Sequence, residues 1–291
     1  MADTTYLVED YDLAEMQRCE LELLDEFDRV CTLHDIPYFL AYGTLLGAAR
    51  HEGFIPWDDD IDLFVFARDL PRLREAMAAD LDHERFFYQC EETDPAFNMT
   101  ITRLRLNGTT ALNVENAERD MHQGVFIDVY PLHEMAPGKA GRFRQKCWSM
   151  VDCLLTVHRE PLNHGTTGRV AYHVGMALLD HPGVHEKARR ERDRHLGSDD
   201  AIICSLCSGW STIDREFPPG MFGTDHLPFE GRTVPVPSGW RQLLEMRYGD
   251  WTQLPPESER HGSHTIYFFD AHHSYEDYRG KKYLLKGVSG S

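Results

Sequence analysis

The sequence predicts an α+β protein: a small mixed sheet flanked by helices, then a largely helical middle segment and an irregular C-terminal region. Three observations predict it. An amphipathic helical repeat opens the chain, and short apolar runs rich in aromatic and β-branched residues follow it. Helical spacing then dominates the middle of the chain. The pattern divides the sequence into residues 1–135, 136–228 and 229–291, expected to pack as one unit.

Leu13, Met16, Leu23, Leu24, Phe27, Val30 and Cys31 recur at three- and four-residue steps, which predicts a helix over 13–33. Asp35 and Pro37 punctuate its end. Tyr38 to Tyr42 reads as a short buried strand, Gly43-Thr44 as the turn after it, and Leu45 to His51 as a short helix. Gly53 to Trp57 is a loop by its glycine and proline. Leu63 to Phe66 reads as a strand, and Leu70, Leu73, Met77 and Leu81 mark a helix. Further strands are expected over 86–90, 100–106 and 124–130. Phe143 to Leu155 has helical spacing, and 166–196 reads mostly helical with a break at Pro182-Gly183. The segment 217–239 is rich in proline and glycine and reads as irregular, and Trp240 to Tyr248 reads as a helix ending in Gly249.

Composition excludes several classes. The 291 residues carry 48 acids against 30 bases, a net charge of −18. Sequence-independent nucleic-acid binding runs on lysines and arginines that neutralise phosphates, so no nucleic acid is expected as a partner. A polybasic membrane anchor is excluded on the same ground. No apolar run approaches the roughly 18–20 residues of a membrane helix, so no integral membrane segment is expected. The N-terminus shows no secretory pattern. Seven cysteines, an odd number in a chain of this size, predict free thiols and a cytoplasmic setting.

Four carboxylates crowd into five residues: Asp58, Asp59, Asp60 and Asp62. In an extended chain Asp60 and Asp62 point the same way. Two such charges about 4 Å apart repel by roughly 4 kcal/mol at an effective dielectric near 20. The crowd is tolerated if it is solvated, protonated or holding a cation. Three features favour the cation. The tetrad abuts an apolar strand, Pro56-Trp57 precedes it, and Asp128 interrupts the apolar run Val-Phe-Ile-Asp-Val, where a lone acid needs a partner. An all-oxygen donor set suits Mg²⁺ or Mn²⁺ better than Zn²⁺. An EF-hand is excluded, because positions six and twelve counted from Asp58 are Leu63 and Asp69. Gly43-Thr44, at a strand-to-helix turn, is a candidate phosphate seat. Arg50 either adds a phosphate contact or pairs with the acids.

The run from Gly43 to Asp62, Gly-Thr-Leu-Leu-Gly-Ala-Ala-Arg-His-Glu-Gly-Phe-Ile-Pro-Trp-Asp-Asp-Asp-Ile-Asp, closely resembles the signature of the LicD/fukutin family of phosphotransferases. Gly124 to Leu132 resembles that family's second block. Phe229-Glu230-Gly231, Val234 to Pro237, Tyr248 to Trp251 and Pro255-Pro256 resemble its C-terminal block. The resemblance implies a nucleotidyltransferase-like catalytic core over 1–135, a mainly helical insertion over 136–228, and a segment over 229–291 that completes the active site. It implies that Asp60, Asp62 and Asp128 are catalytic and bind Mg²⁺ or Mn²⁺, and that Gly43, Thr44 and Arg50 meet the phosphates. Thr44 stands where the wider superfamily has serine, and 15 residues separate it from Asp60, both in agreement with the LicD subgroup.

The implied reaction moves phosphocholine from CDP-choline to a sugar hydroxyl of a glycan or lipid-linked glycan, releasing CMP. The setting is the cytoplasm or the inner face of the membrane, in lipopolysaccharide or teichoic acid assembly. The alternative donor carries another phospho-alcohol such as ribitol phosphate. Choline needs aromatic faces. Trp57, Tyr42 and Trp251 are the leading candidates, with Trp210, Trp240 and Tyr248 behind them. Two readings compete: a glycosyltransferase using Asp60-Ile61-Asp62 as its metal motif, and a non-catalytic acidic scaffold. Weaker signals are Cys204 and Cys207, with the spacing of a zinc or redox pair but apolar neighbours, and a cluster of His261, His264, His272 and His273 in which Arg260 and His264 are candidates to reach phosphate.

Overall fold

The computed structural model describes residues 10–157, 165–207, 215–260 and 266–285. Trp210, His261 and His264 lie outside them. The first half runs α1 (Leu13–Leu33), β1 (Tyr38–Leu40), α2 (Tyr42–His51), β2 (Asp62–Phe66), α3 (Leu70–Asp80), β3 (Phe86–Gln89), β4 (Thr102–Leu106), β5 (Thr110–Asn113) and β6 (Phe126–Glu134). The second half adds α4 (Lys139–Val157), α5 (Gly165–Leu179), α6 (Pro182–Arg192) and β7 (Ile203–Ser205). It ends with β8 (Thr224–Phe229), β9 (Arg232–Pro237), α7 (Trp240–Tyr248) and β10 (Ile266–Asp270). The α+β class and the helix-flanked mixed sheet are as the sequence predicts.

The main sheet has the order β1-β2-β6-β4-β3, with β7 paired to the far end of β6. Strands β2 and β6 are parallel; the other pairings are antiparallel. Helix α1 is started by Asp12, whose carboxylate accepts the Glu15 N–H at 3.1 Å. Its apolar stripe of Leu23, Leu24, Phe27 and Val30 is buried in the core with the sheet, and Met16 is buried on the same helix. The expected break near Pro182-Gly183 is present: α5 ends at Leu179, and Pro182 opens α6, as suits proline in a first turn.

Strands β5, β7 and β10 are not anticipated by the sequence, and three further elements depart from its expectation. The first strand stops at Leu40 and the helix already begins at Tyr42. The Ala41 N–H donates to the Asp62 carbonyl at 2.9 Å, and Tyr42 then takes a positive φ of 42° that turns the chain out of the sheet. A bulky residue adopts that conformation only where packing imposes it. The Tyr42 ring is held edge-on by Phe64 and Tyr130, with centroids 4.9 and 5.0 Å away. Strand β6 runs on to Glu134, because β7 supplies a partner that lies far along the chain.

The segment 217–239 is not irregular, since it contains the β8–β9 hairpin. Glu230 and Gly231 form its two-residue loop with φ of 47° and 74°. Two successive positive φ values are the signature of the mirror-image turn that matches strand twist. Proline is tolerated in this ribbon because each strand leaves one edge without a partner.

The hairpin turn grips the loop ahead of the acids. Glu230 N–H donates to the Glu52 carbonyl at 2.9 Å, and the Glu230 carboxylate accepts the Phe54 N–H at 3.1 Å. Phe54 and Phe229 pack with centroids 5.0 Å apart. Gly47 lets α2 lie directly on this loop: a Cβ there would sit 2.5 Å from the Gly53 carbonyl oxygen and 3.1 Å from the Ile55 nitrogen. Both obstacles are backbone and cannot swing aside. Gly47→Ala is therefore expected to cost about 1–3 kcal/mol. Gly175→Ala, where the added methyl meets nothing within 4 Å, is expected to stabilise by about 0.5–1 kcal/mol. Urea denaturation of the two variants checks the contrast in sign.

Candidate active site

Strand β2 begins at Asp62, so Asp58, Asp59 and Asp60 lie in the loop before it rather than on the strand. One carboxylate oxygen from each of these three falls within 4.8 Å of the other two. Asp59, Asp60, Asp62 and Asp128 are all buried. At that spacing each like-charged pair repels by roughly 3–4 kcal/mol at an effective dielectric near 20. The loop is pinned nonetheless. Tyr11 donates its hydroxyl to Asp59 Oδ2 at 3.0 Å, and Gln17 donates to the Asp58 carbonyl at 3.0 Å.

Asp62 and Asp128 are direct neighbours on the parallel strands β2 and β6, and Arg103 on β4 lies directly opposite Asp128. Cross-strand partners share a face, so Asp62, Asp128 and Arg103 form one row. Arg103 holds Asp128 with both ends of its guanidinium, Nε to Oδ1 at 2.5 Å and Nη2 to Oδ2 at 3.2 Å. The guanidinium carbon lies 3.8 Å from the Phe126 ring centroid. The partner that a lone acid in an apolar strand requires is thus present in the protein itself.

Asp62 differs. Its Oδ1 is buried without a hydrogen-bond partner. Burial, then the charges of Asp60 and Asp128, hold its carboxyl well above the usual carboxylate range. Glu20 on α1 is raised in the same way, by burial and then by Asp60 and Asp59, and its Oε2 is also unpartnered.

The glycine-threonine pair sits in the first turn of α2. A Cβ on Gly43 would come within 2.8 Å of Asp58 Oδ2, so the missing side chain admits that carboxylate to the helix N-terminus. The Thr44 hydroxyl is buried and accepts the Asp62 N–H at 2.8 Å, locking the start of β2 to the helix. Among the described residues Arg50 forms no ion pair with the acids. It donates to the carbonyls of Trp251 and Gln253 at 3.3 and 3.2 Å and ties α2 to the segment after α7.

The aromatic candidates each have their own neighbours. Tyr42 is buried, and the Arg247 guanidinium covers its ring at 4.2 Å. Trp57 is faced by Arg260 at 5.7 Å. Trp251 packs on Trp240 at 5.9 Å. No two of Tyr42, Trp57 and Trp251 are in ring contact. Tyr248, at the end of α7, keeps 39% of its surface. Cys204 and Cys207, on and beside β7, are buried and form no disulfide. His272 and His273 are tied to Glu15 and Asp270.

Arg247 is the cation that sequence reasoning missed. Its charge acts on the Asp62 carboxyl, and among the described residues no carboxylate lies within ion-pair distance of it. Its position at the end of a short helix gave no signal. Arg103 did leave one: in Thr-Arg-Leu-Arg-Leu the arginines alternate with apolar residues, as a charged row on one strand face must.

Residues 35–142 match the family model described as LicD/FKTN/FKRP, nucleotidyltransferase domain. This stretch is a LicD-family domain. It contains the acid loop, both acid-bearing strands, Arg103 and α2. Over 87% of its length the chain is 24% identical to the lipopolysaccharide cholinephosphotransferase LicD of Haemophilus influenzae, covering 96% of that protein. A shorter stretch, 18% of this chain, is 46% identical to 11% of the human ribitol 5-phosphate transferase FKRP. Among the described residues no helix is long and apolar enough to cross a membrane.

Arg103→Ala would leave Asp128 buried and unpaired. It is expected to destabilise the fold by about 3–5 kcal/mol, and Arg103→Ala with Asp128→Ala by clearly less. Urea denaturation of both variants gives the comparison.

Proposed function

We propose that this chain, a LicD-family phosphotransferase, transfers phosphocholine from CDP-choline to a sugar hydroxyl of a glycan, with release of CMP. The observation that carries the reading is the gathering of Asp58, Asp59 and Asp60 around the start of β2, beside the unpartnered Asp62 oxygen. A hard divalent cation fits this set. All donors are carboxylate oxygens, one of them buried and unsatisfied, which suits Mg²⁺ or Mn²⁺. Asp60 and Asp62, with Asp58, would hold it. Bound there, such an ion neutralises charge on a pyrophosphate and on the departing CMP.

The chain's own groups support the remaining steps. Arg247, at the edge of the cluster, is placed to take a phosphate oxygen by a charge-assisted hydrogen bond. The N-terminus of α2, kept open by Gly43, favours negative charge. Asp128 is oriented by Arg103 and is the acid assigned to accept the proton of the attacking hydroxyl. The Thr44 hydroxyl fixes the Asp62 backbone, and positioning of this kind supplies much of the rate in phosphoryl transfer.

The first-named relative acts as a cholinephosphotransferase on lipopolysaccharide, which favours choline and a cell-surface glycan. The similarity to a ribitol 5-phosphate transferase gives the second reading, a CDP-linked polyol as donor. A glycosyltransferase is less well supported, because among the described residues only β1 precedes the acid motif, where nucleotide-sugar folds have several strand-helix units.

Incubation with Mg²⁺, a glycan acceptor and CDP-choline, CDP-ribitol or a UDP-sugar separates these readings. CMP release from CDP-choline alone is expected, and UDP release alone would overturn the assignment. EDTA is expected to abolish turnover, with recovery on added Mg²⁺. Asp62→Asn is expected to fold and to lose at least about a hundredfold in kcat/KM, and Arg247→Ala about ten- to a hundredfold. Normal turnover by Asp62→Asn would remove the metal assignment.

A further inference from the structure

At the far edge of the main sheet, on the face that carries Asp62 and Asp128, lies a cavity of 520 Å³. The register places it. Gln89, Arg103, Asp128 and Asp62 form one row across the sheet, and Phe87, Arg105 and Phe126 form the next row on the same face. Phe87 is therefore two strand spacings and two residues away from Asp128, roughly 12 Å from strand geometry.

The cavity is lined by a run of three rings. The His122 imidazole stacks on Phe87 at 5.0 Å and 6°, and Tyr275 leans on His122 at 4.6 Å and 46°. His122 is fixed as a neutral ring. Its Nδ1 accepts the Gly124 N–H at 3.1 Å, so the proton resides on Nε2, which faces Asn107 Oδ1 at 2.9 Å. Burial and then the Arg105 charge push its pKa down to about 3. Around the rings stand Asp120, Glu276 and Arg279, with Arg279 paired to Asp120 at the rim. Tyr275 is held by its N–H to the Thr109 carbonyl at 3.1 Å, so the wall is part of the fold.

We infer that this cavity is a subsite for a sugar unit of the acceptor glycan, beyond the unit that carries the reacting hydroxyl. The inference rests on the proposed transfer to a glycan. A pyranose offers a C–H face to aromatic rings and a rim of hydroxyls that both donate and accept, and this wall answers each of these. Carboxylates accept, the guanidinium donates, and uncharged rings lie between them. A nucleotide fits worse, because Asp94, Asp120 and Glu276 against one arginine make the lining net negative. A quaternary ammonium fits worse, because Arg279 stands in the wall. A separation near 12 Å from Asp128 corresponds to an acceptor that extends along the sheet past the reacting sugar.

The test is binding to a printed array of bacterial and mammalian oligosaccharides, without donor. The unmodified protein is expected to retain a defined subset. Arg279→Ala and Glu276→Gln, both at exposed positions and checked by thermal melting, are expected to lose at least tenfold in retention. Tyr275→Phe is expected to keep more than Tyr275→Ala. Asp62→Asn is expected to retain the glycans although it does not transfer. The inference is overturned if the unmodified protein retains no oligosaccharide, if Arg279→Ala and Glu276→Gln bind unchanged, or if millimolar choline or CMP displaces the glycans. Failure of the transfer reading shows differently, as absence of CMP release with glycan retention intact.

Discussion

The structure is organised by one unfavourable interaction, the crowding of carboxylates where the loop from Pro56 enters β2. Asp58, Asp59 and Asp60 converge within 4.8 Å, Asp62 follows on the strand, and Glu20 approaches from α1. The repulsion among such groups, several kcal/mol per pair, would push an unsupported loop into solvent. Most of the nearby polar contacts oppose that. Tyr11 and Gln17 hold the loop from one side, Thr44 clamps the Asp62 backbone from another, and Arg103 neutralises Asp128 next door. Asp62 and Glu20 are relieved in a different way, by a raised pKa that favours their neutral form. Clustered acids braced in place beside the unpartnered oxygens of Asp62 and Glu20 are a strained arrangement, and such strain concentrates where a ligand relieves it.

Bracing also explains why sequence-distant segments meet at this point. The loop between α2 and β2 has little regular structure of its own to hold it. Its position comes from Glu230 in the hairpin turn, from the Phe54–Phe229 contact, and from Arg50 reaching the carbonyls after α7. The C-terminal hairpin and helix are therefore part of the frame that sets the acid loop. They bring Arg247 with them, whose charge acts on Asp62. The left-handed Tyr42 belongs to the same frame. Its strain lets the chain leave β1 and start α2 in a single residue, which puts the helix N-terminus directly over the carboxylates.

Much of this was legible in the sequence, and the rest was not, for definite reasons. Periodicity located α1, α3 and α7 almost to the residue and the centre of α4, because amphipathic helices bury one face. The acid run and the acid on β6 were legible as a pair, because a carboxylate in an apolar strand needs a partner. Which partner was not legible. Arg103 reaches Asp128 only through a cross-strand register that no local pattern encodes. Arg50 was legible as a cation near the acids, but its protein anchors were not: on α2 it reaches the carbonyls of Trp251 and Gln253, 201 and 203 residues away. The hairpin of 224–237 was hidden by its prolines, since composition reports turn-forming residues without saying that both strands have a free edge.

The row Asp62–Asp128–Arg103 carries one further consequence. Alternating or opposite charges along a row of a sheet stabilise it, while two like charges side by side do not. Here the row reads acid, acid, base, so the single guanidinium balances Asp128 and leaves Asp62 in excess. A second arginine in place of Asp62 would have made a quieter sheet, and so would an asparagine. The excess carboxylate therefore adds nothing to the folding of the row. Its position is also the one where the chain gathers three more carboxylates and brings up Arg247. Stability alone does not account for that combination. A site built to accept positive charge and phosphate together does, because each of the two ligands screens the charges that repel the other.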